Sequence, residues 1–458
     1  MGGNYYGQLG NGNTTSKCLP IQTVGLSHVT MVSAGDQYSL ALKADGTVWA
    51  WGKNNYGQLG DGSTIDKLNP VQVSGLSQIT MIVAGYEHSL ALKADGTVWA
   101  WGYNFYGQLG DGTTTSKNSP IQVNTLSNVS KISVGFGYNL ALKEDGSAWA
   151  WGYNYIGQLG DGTRSNRYNP VQIKGLSNVI KLVAGGSRSI ALKDDGSAWA
   201  WGSNHFGMLG DGTITHSNLP VRVNRLSHVI MLSTKQSHSL ALKNDGTIWT
   251  WGGHNSYGQL GYEITSKKTI PVQVCGLSNV CTIAAGFYHG LALKNDGTVW
   301  AWGYNSSGSL GDGNYTNKSK LVQVDGLSCI ASLTVGSFHS LALKNDGTVW
   351  SWGYNDHGEL GNGTTSNKSS PVQVEGLSQV TILAGGRYHS LALKDDSTVW
   401  SWGNNDYGQL GYGTYINKTN PVQVDGLSNV VNIAAGANHS IALKDEGTVW
   451  AWGNNNSG

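Results

Sequence analysis

The sequence predicts an all-β fold, a β-propeller of four-stranded antiparallel blades, and three observations carry that prediction. A segment "ALKxDGTVWAWG", or a close variant, starts at Ala41, Ala91, Ala141, Ala191, Ala241, Ala292, Ala342, Ala392 and Ala442, with a spacing of 50 residues broken by one step of 51 between Ala241 and Ala292. Self-similarity at this period sets the architecture before any local reading does. The 18 tryptophans all fall in these copies, two in each, which argues for core and against a special tryptophan site. Glycine is abundant (66) and proline scarce (8), as suits a β chain with many tight turns.

The second copy shows the elements in order. "QITMIVAG" (78–85) is a short apolar segment, strand A. "SLALK" (89–93) places Leu90 and Leu92 on one face and Ala91 on the other, strand B. "ADG" (94–96) carries the Asp-Gly signal of a tight hairpin turn. "TVWAWG" (97–102) is strand C, and its tryptophans, two apart, project from one face. A long polar connection follows, ending at Pro120, which is expected to open strand D, "PIQV" (120–123), on the outer edge. A linker, usually "GLS", leads to the next strand A.

One such sheet cannot bury its tryptophan face alone, so radial repetition is expected. The termini predict how the ring closes. The N-terminus supplies a D-type strand first, "PIQTV" (20–24), and the C-terminus ends on A, B and C without D. Donating the first strand to the last sheet completes it and removes an open edge. The expectation is a single domain, residues 1–458, of nine blades.

Composition narrows the function. Charged residues make up 12%, with 29 basic against 28 acidic, and no basic run or acidic tail suggests a nucleic-acid partner. No apolar run reaches the length of a membrane span. Cys18, Cys275, Cys281 and Cys329 are too few for a disulfide framework, although Cys275 and Cys281 are near enough to pair in an oxidising compartment. No secretory signal opens the chain, but Met1 falls within a repeat, so the compartment stays open, with a lean to a bacterial secreted or cell-surface setting.

The assembled repeat, with "GxxHSLAL", "DGxVWxWG", "NxxGQLGxG" and a proline-opened strand, resembles that of the regulator of chromosome condensation family across essentially the whole chain. The resemblance implies a propeller, seven blades being the family norm, and roles in protein binding: GTPase exchange, chromatin binding or protein inhibition. Two departures argue against the first two. No inserted β-wedge is present, the only length change being one residue near His254, and there is no basic tail. The closer functional analogy is a bacterial β-lactamase inhibitory propeller of this repeat class, which docks its partner through aromatic loop residues.

Alternating strand direction puts the A–B and C–D connections on one face. The B–C turns and D–A linkers on the other face barely vary between copies. The A–B loop varies and carries Tyr86, Phe136, Phe287, Tyr288, Phe338 and Tyr388; the C–D loop carries Tyr103, Phe105, Tyr153 and Tyr155. Aromatics in loops on a rigid scaffold point to binding hot spots. Blade five adds Lys235, where the other copies have Gly, the inserted residue around His254, and Tyr257. If that Gly has a positive φ, Lys235 is strained there.

Weaker candidates have structural readings. His88, His238, His289, His339, His389 and His439 recur in "GxxH", but a ring holds them apart, so no metal site is expected. The loop cations Lys67, Lys117, Arg167, Lys318 and Lys418 read as solvated or carbonyl-capping groups. The expected protein has no catalytic residues, no metal and no cofactor. It is a monomeric, non-enzymatic scaffold that binds a protein partner, not nucleic acid, and inserts into no membrane. The alternatives are a structural module of a larger surface or secreted protein, and a carbohydrate-binding or enzymatic propeller with its site at the channel mouth.

Overall fold

The computed structural model describes residues 4–14, 19–234, 239–253, 255–262, 266 and 268–453. These form nine four-stranded antiparallel sheets in a ring, a nine-bladed β-propeller with no helix among the described residues. In blade two the strands are Ile79–Ala84 (A), His88–Lys93 (B), Val98–Gly102 (C) and Lys117–Gln122 (D), hydrogen-bonded in that order. Strands A of neighbouring blades touch, so A is innermost and D outermost. Ring closure follows the expectation: Ile21–Gln22 pairs with Val449–Gly453, the C strand of blade nine, with Ile21 opposite Ala451 and Gln22 opposite Trp450.

The core lies between blades. Trp101 and Ile82 of blade two pack into a cluster with Leu40, Leu42, Val48 and Val73 of blade one, and Trp99 packs against it. Leu90 and Leu92, on the other face, pack toward Trp151 of blade three. The two tryptophans do share a face but are not equal: Trp101 is fully buried, Trp99 only partly.

The repeat motifs are inter-blade stitching. Trp101 Nε1 donates to the Gln58 carbonyl of the preceding blade at 2.8 Å, and Ser89 Oγ donates to the same oxygen at 2.9 Å. Buried Asn54 organises "NxxGQLGDG": its Oδ1 accepts from Leu59 N, and its Nδ2 donates to Asp61 Oδ1 and the Ser63 carbonyl. The loop is thus satisfied internally, the condition buried polar groups must meet.

Three sequence expectations need correction. Strand D begins at Lys117, three residues before Pro120, because Gly102 pairs with Lys117 and the register then shifts before Ala100 meets Ile121. The proline, lacking an N–H, sits in that irregularity on the outermost strand, where no ladder bond is lost. The glycines ending strand A are not in the left-handed region. Instead a Cβ on Gly85 would lie 2.5 Å from the His88 ring, and one on Gly436 2.1 Å from His439. The requirement is steric: the ring three residues on lies over the glycine, while Gly85 N donates to the His88 carbonyl at 2.7 Å.

The third correction concerns the loop cations. They pair with the aspartate of "GDG": Lys67–Asp61 at 3.1 Å, Arg167–Asp161 at 2.5 Å, Lys318–Asp312 at 3.6 Å and Lys117–Asp111 at 3.8 Å. Burial raises the Asp61 pKa, but hydrogen bonds from Ser63 and Lys67 outweigh it and hold the carboxyl below its usual value. Where tyrosine replaces that aspartate, the cation moves over the ring instead: Lys268 over Tyr262 at 4.5 Å and Lys418 over Tyr412 at 4.8 Å. Among the described residues Cys275, Cys281 and Cys329 are free, so Cys275 and Cys281 form no disulfide; Cys281 Sγ instead faces the Leu293 carbonyl at 3.4 Å.

Candidate interaction face

The A–B loops crown the inner ring. Their backbones are sewn from blade to blade: Phe136 N donates to the Gly186 carbonyl at 3.0 Å, and Arg387 N to the Ala437 carbonyl at 3.1 Å. Each C–D loop starts beside the A–B loop of its own blade, as Tyr103 N donating to Glu87 O at 2.9 Å and Tyr354 N to Phe338 O at 3.1 Å show. Both variable loops therefore share one face on a rigid backbone.

Their aromatics collect into two arcs. In the first, Tyr56 meets Tyr103 (ring centroids 4.7 Å apart), Tyr106 meets both Phe105 (5.2 Å) and Tyr153 (4.9 Å), and Tyr153 meets Tyr155 (5.7 Å). Tyr86 and Phe136, 5.1 Å apart, stand beside it at the channel mouth. The second arc runs over blades five to eight: Tyr257 to Tyr304 (5.3 Å), Tyr304 to Phe338 (5.8 Å), Phe338 to Tyr354 (6.3 Å), and Tyr354 to Tyr388 (5.7 Å). Tyr288 packs on Tyr257 at 5.3 Å, and Phe287 on Tyr288 at 4.8 Å. Phe287 and Arg387 also line a hollow of about 510 Å³ at the channel mouth.

Exposure divides the sequence-predicted residues. Phe105, Tyr155, Phe136, Tyr86, Tyr257 and Phe287 are exposed, whereas Tyr103, Tyr153, Tyr288, Phe338 and Tyr388 are half-buried. The second set props up the first. Lys235 and His254 lie outside the described residues, as does His238. Sequence reasoning missed Tyr56, Tyr106 and His357, which occupy the second variable position of "NxxGQLG". That position alternates among Tyr, Ile, Phe, Ser and His between copies, and this was the signal available.

One blade adds ionisable groups to the face. In blade seven Glu359 replaces the glutamine of "GQLG" and is fully buried. Its carboxylate accepts from His357 N at 2.9 Å and lies 2.9 Å from His357 Nδ1, whose ring is 5.7 Å from that of Tyr388. Burial pushes the Glu359 pKa up, with the hydrogen bonds from the backbone and from His357 pulling it back only in part. A carboxyl whose folded pKa is raised contributes stability that is full below its ordinary value of 4.5 and is lost as pH rises through the folded value. Glu359→Gln restores the residue that accepts Tyr56 N at 3.0 Å in blade one. The variant is expected to melt about 1–2 °C higher than the parent at pH 8, and to lose that advantage below pH 4.5, in thermal scans across pH. A constant difference at all pH values would show that ionisation is not its cause.

The described histidines of the ring make hydrogen bonds between blades. His88 Nε2 lies 2.7 Å from Asn139 Oδ1 of the next blade, and His339 and His389 lie 3.0 Å from Ser390 and Ser440. Burial pushes His88 down to about 4 and His389 to about 3, so they are neutral stitches. No group of three or more His, Cys, Asp or Glu among the described residues could hold a metal ion.

Solved structures resemble the chain at low identity. The human WBSCR16 crystal structure aligns with a TM-score of 0.52 at 22% identity, over 76% of this chain and 100% of that one. Prp20p from Saccharomyces cerevisiae, described with its binding to Gsp1p and histones, aligns with a TM-score of 0.49 at 24% identity, over 80% and 93%. The computationally designed Ika8 protein aligns over 96% of this chain and 100% of its own at 16% identity, with a TM-score of 0.42. The likeness to WBSCR16, at 22% identity, is one of fold alone. The sequence model of the RCC1-like domain matches residues 1–182 and 174–458, together the whole chain, and the protein therefore belongs to the RCC1-like domain family.

Proposed function

We propose that the chain, acting as one unit, is a non-enzymatic propeller that binds a protein partner through its A–B/C–D face. The observation that carries this reading is the second aromatic arc, a run of touching rings across four consecutive blades with exposed Phe287 and Tyr257 on half-buried supports. Aromatic side chains that are already packed lose little conformational freedom on binding, which makes them good anchors. Capture of partners from a host lysate on the purified ring tests it. Phe338→Ala with Tyr388→Ala is expected to weaken capture about tenfold or more, whereas Asn438→Ala on blade nine is expected to change it little. Equal losses from both would reject the arc as the binding surface.

The same reading assigns no nucleotide exchange. Apart from the single added residue around His254, successive repeats have one length, leaving no inserted wedge to pry a GTPase open. Catalytic amounts of the protein are expected to leave labelled-GDP release from Ran-type GTPases at its intrinsic rate. Acceleration of that release would contradict the assignment.

A further inference from the structure

The nine seams between blades are not equivalent. At the seam between blade nine and blade one a cavity of about 220 Å³ remains. Two of its wall residues depart from the repeat. Val32 stands where each of the other eight blades has Ile or Leu, and Thr23 where each has Val or Ile. The effect on packing is large: Val32 is 42% exposed, against 2% for Ile82 and 6% for Ile132 at the same position. The buried cluster here shrinks to Leu26, Val29, Ala41 and Trp51, and Trp51 keeps 6% exposure.

The wall chemistry selects an occupant. Leu9, Ile21, Leu40, Ile441, Val449 and Ala451 supply carbon, and no charged side chain lines the space. Two of the polar atoms nearby are already committed: Trp51 Nε1 donates to the Gln8 carbonyl at 2.7 Å, and Ser33 Oγ accepts from Ala84 N at 2.8 Å. Water needs two to four polar partners and is poorly held in such a place, while an apolar cavity of about 150 Å³ accepts benzene. A charged group would lose its hydration with no partner to replace it.

We propose that this seam is a binding site for a small uncharged apolar molecule, of the size of one substituted aromatic ring or a short alkyl chain. Its walls draw on both ends of the chain: Ile21 of the closing strand lies beside Ala451 and Val449 in the blade-nine wall, and Val32, Ala41 and Trp51 of blade one form the facing wall. An occupant therefore bridges blade one to the closing strand and blade nine, and binding holds the ring shut. This inference is independent of the aromatic face.

The test uses the full chain, with p-xylene and 1-hexanol as neutral probes and p-toluate and hexanoate as their charged counterparts. Neutral probes are expected to raise the Tm saturably, by about 2 °C or more, with the charged ones at least about tenfold weaker. Val32→Phe, which fills the cavity, is expected to abolish the shift. Val32→Leu, a residue other blades carry there, is expected to raise the Tm without ligand and reduce the probe's effect; it decides the matter if Val32→Phe does not fold. The absence of a saturable shift, an undiminished shift in Val32→Leu, or equal binding of charged and neutral probes would each overturn the proposal.

Discussion

Trp101→Ala is expected to cost about 3–5 kcal/mol, whereas Trp99→Ala, two residues away on the same face, is expected to cost about half as much or less. The difference comes from where each ring ends. Trp101 has no exposed surface and fills the space between blades one and two against Leu40, Val48 and Leu59. Its removal leaves a hole lined by two sheets that are each held by their own ladder and cannot collapse together. It also removes one of two donors to the Gln58 carbonyl, the other being Ser89 Oγ at 2.9 Å, so that oxygen is not orphaned and cavity formation dominates the loss. Trp99 is partly exposed, its Nε1 donates to the Thr97 hydroxyl at 3.3 Å within its own hairpin, and the Lys93 ammonium sits 5.8 Å from its ring. Trp101→Phe separates the terms: keeping the ring and losing only the N–H is expected to cost about 1 kcal/mol. Denaturant unfolding of the three variants checks the order. Equal losses for Trp99→Ala and Trp101→Ala would show that the inter-blade position is not the cause.

Period-2 patterning and the repeat made the blades legible, because they report which side of a strand meets a neighbour and nothing more is needed to count sheets. Strand C is the clearest case: Trp99 and Trp101 appear together and point together. What stayed hidden depends on contacts between copies. The cations look solvated in sequence because their partners, Asp61 for Lys67 and Asp161 for Arg167, stand six residues earlier in a polar loop. Only the folded loop brings the two together. The glycine before "xxH" raises the question of a positive φ, yet the neighbour that demands it is the imidazole or phenol ring three residues later, a steric relation with no sequence period. Of the binding face, the sequence showed which loops vary. It could not show that Tyr257, Tyr304, Phe338 and Tyr388, from four different blades, touch in a line, since each contact joins two neighbouring blades.

The asymmetry between seams has the same origin. A repeat tells each blade how to meet the next, but the last must meet the first through a strand delivered from the other end of the chain. That strand has no hairpin tying it to blade nine, so its pairing closes a loop of nearly the whole chain, and the entropy cost of that closure falls on few contacts. The seam it makes is also where the side chains Val32 and Thr23 fill least.

Removal of residues 1–27 is accordingly expected to have the largest effect of any short truncation, lowering the onset of unfolding by about 5–10 °C. The segment contributes more than two strand residues. Ile21 and Gln22 pair with Ala451 and Trp450 and cover an edge that otherwise presents unpaired backbone groups. Leu26 belongs to the buried cluster of the closing seam, Leu9 is 8% exposed, and the Gln8 carbonyl accepts from Trp51 Nε1 at 2.7 Å. Losing it therefore uncovers the C strand of blade nine, enlarges the cavity beside blade one, and leaves the indole N–H of Trp51 without its acceptor, each a separate cost of order 1–3 kcal/mol. The damage is local to one seam, so the other eight sheets are expected to keep their far-ultraviolet signature while protease cleavage begins in blades nine and one. Supplying residues 1–27 as a separate peptide is expected to restore part of the lost stability, because the ladder and the Trp51 bond do not require covalent continuity. A truncated protein that melts with the parent, or first cleavage in a blade remote from the seam, would show that ring closure does not depend on this strand.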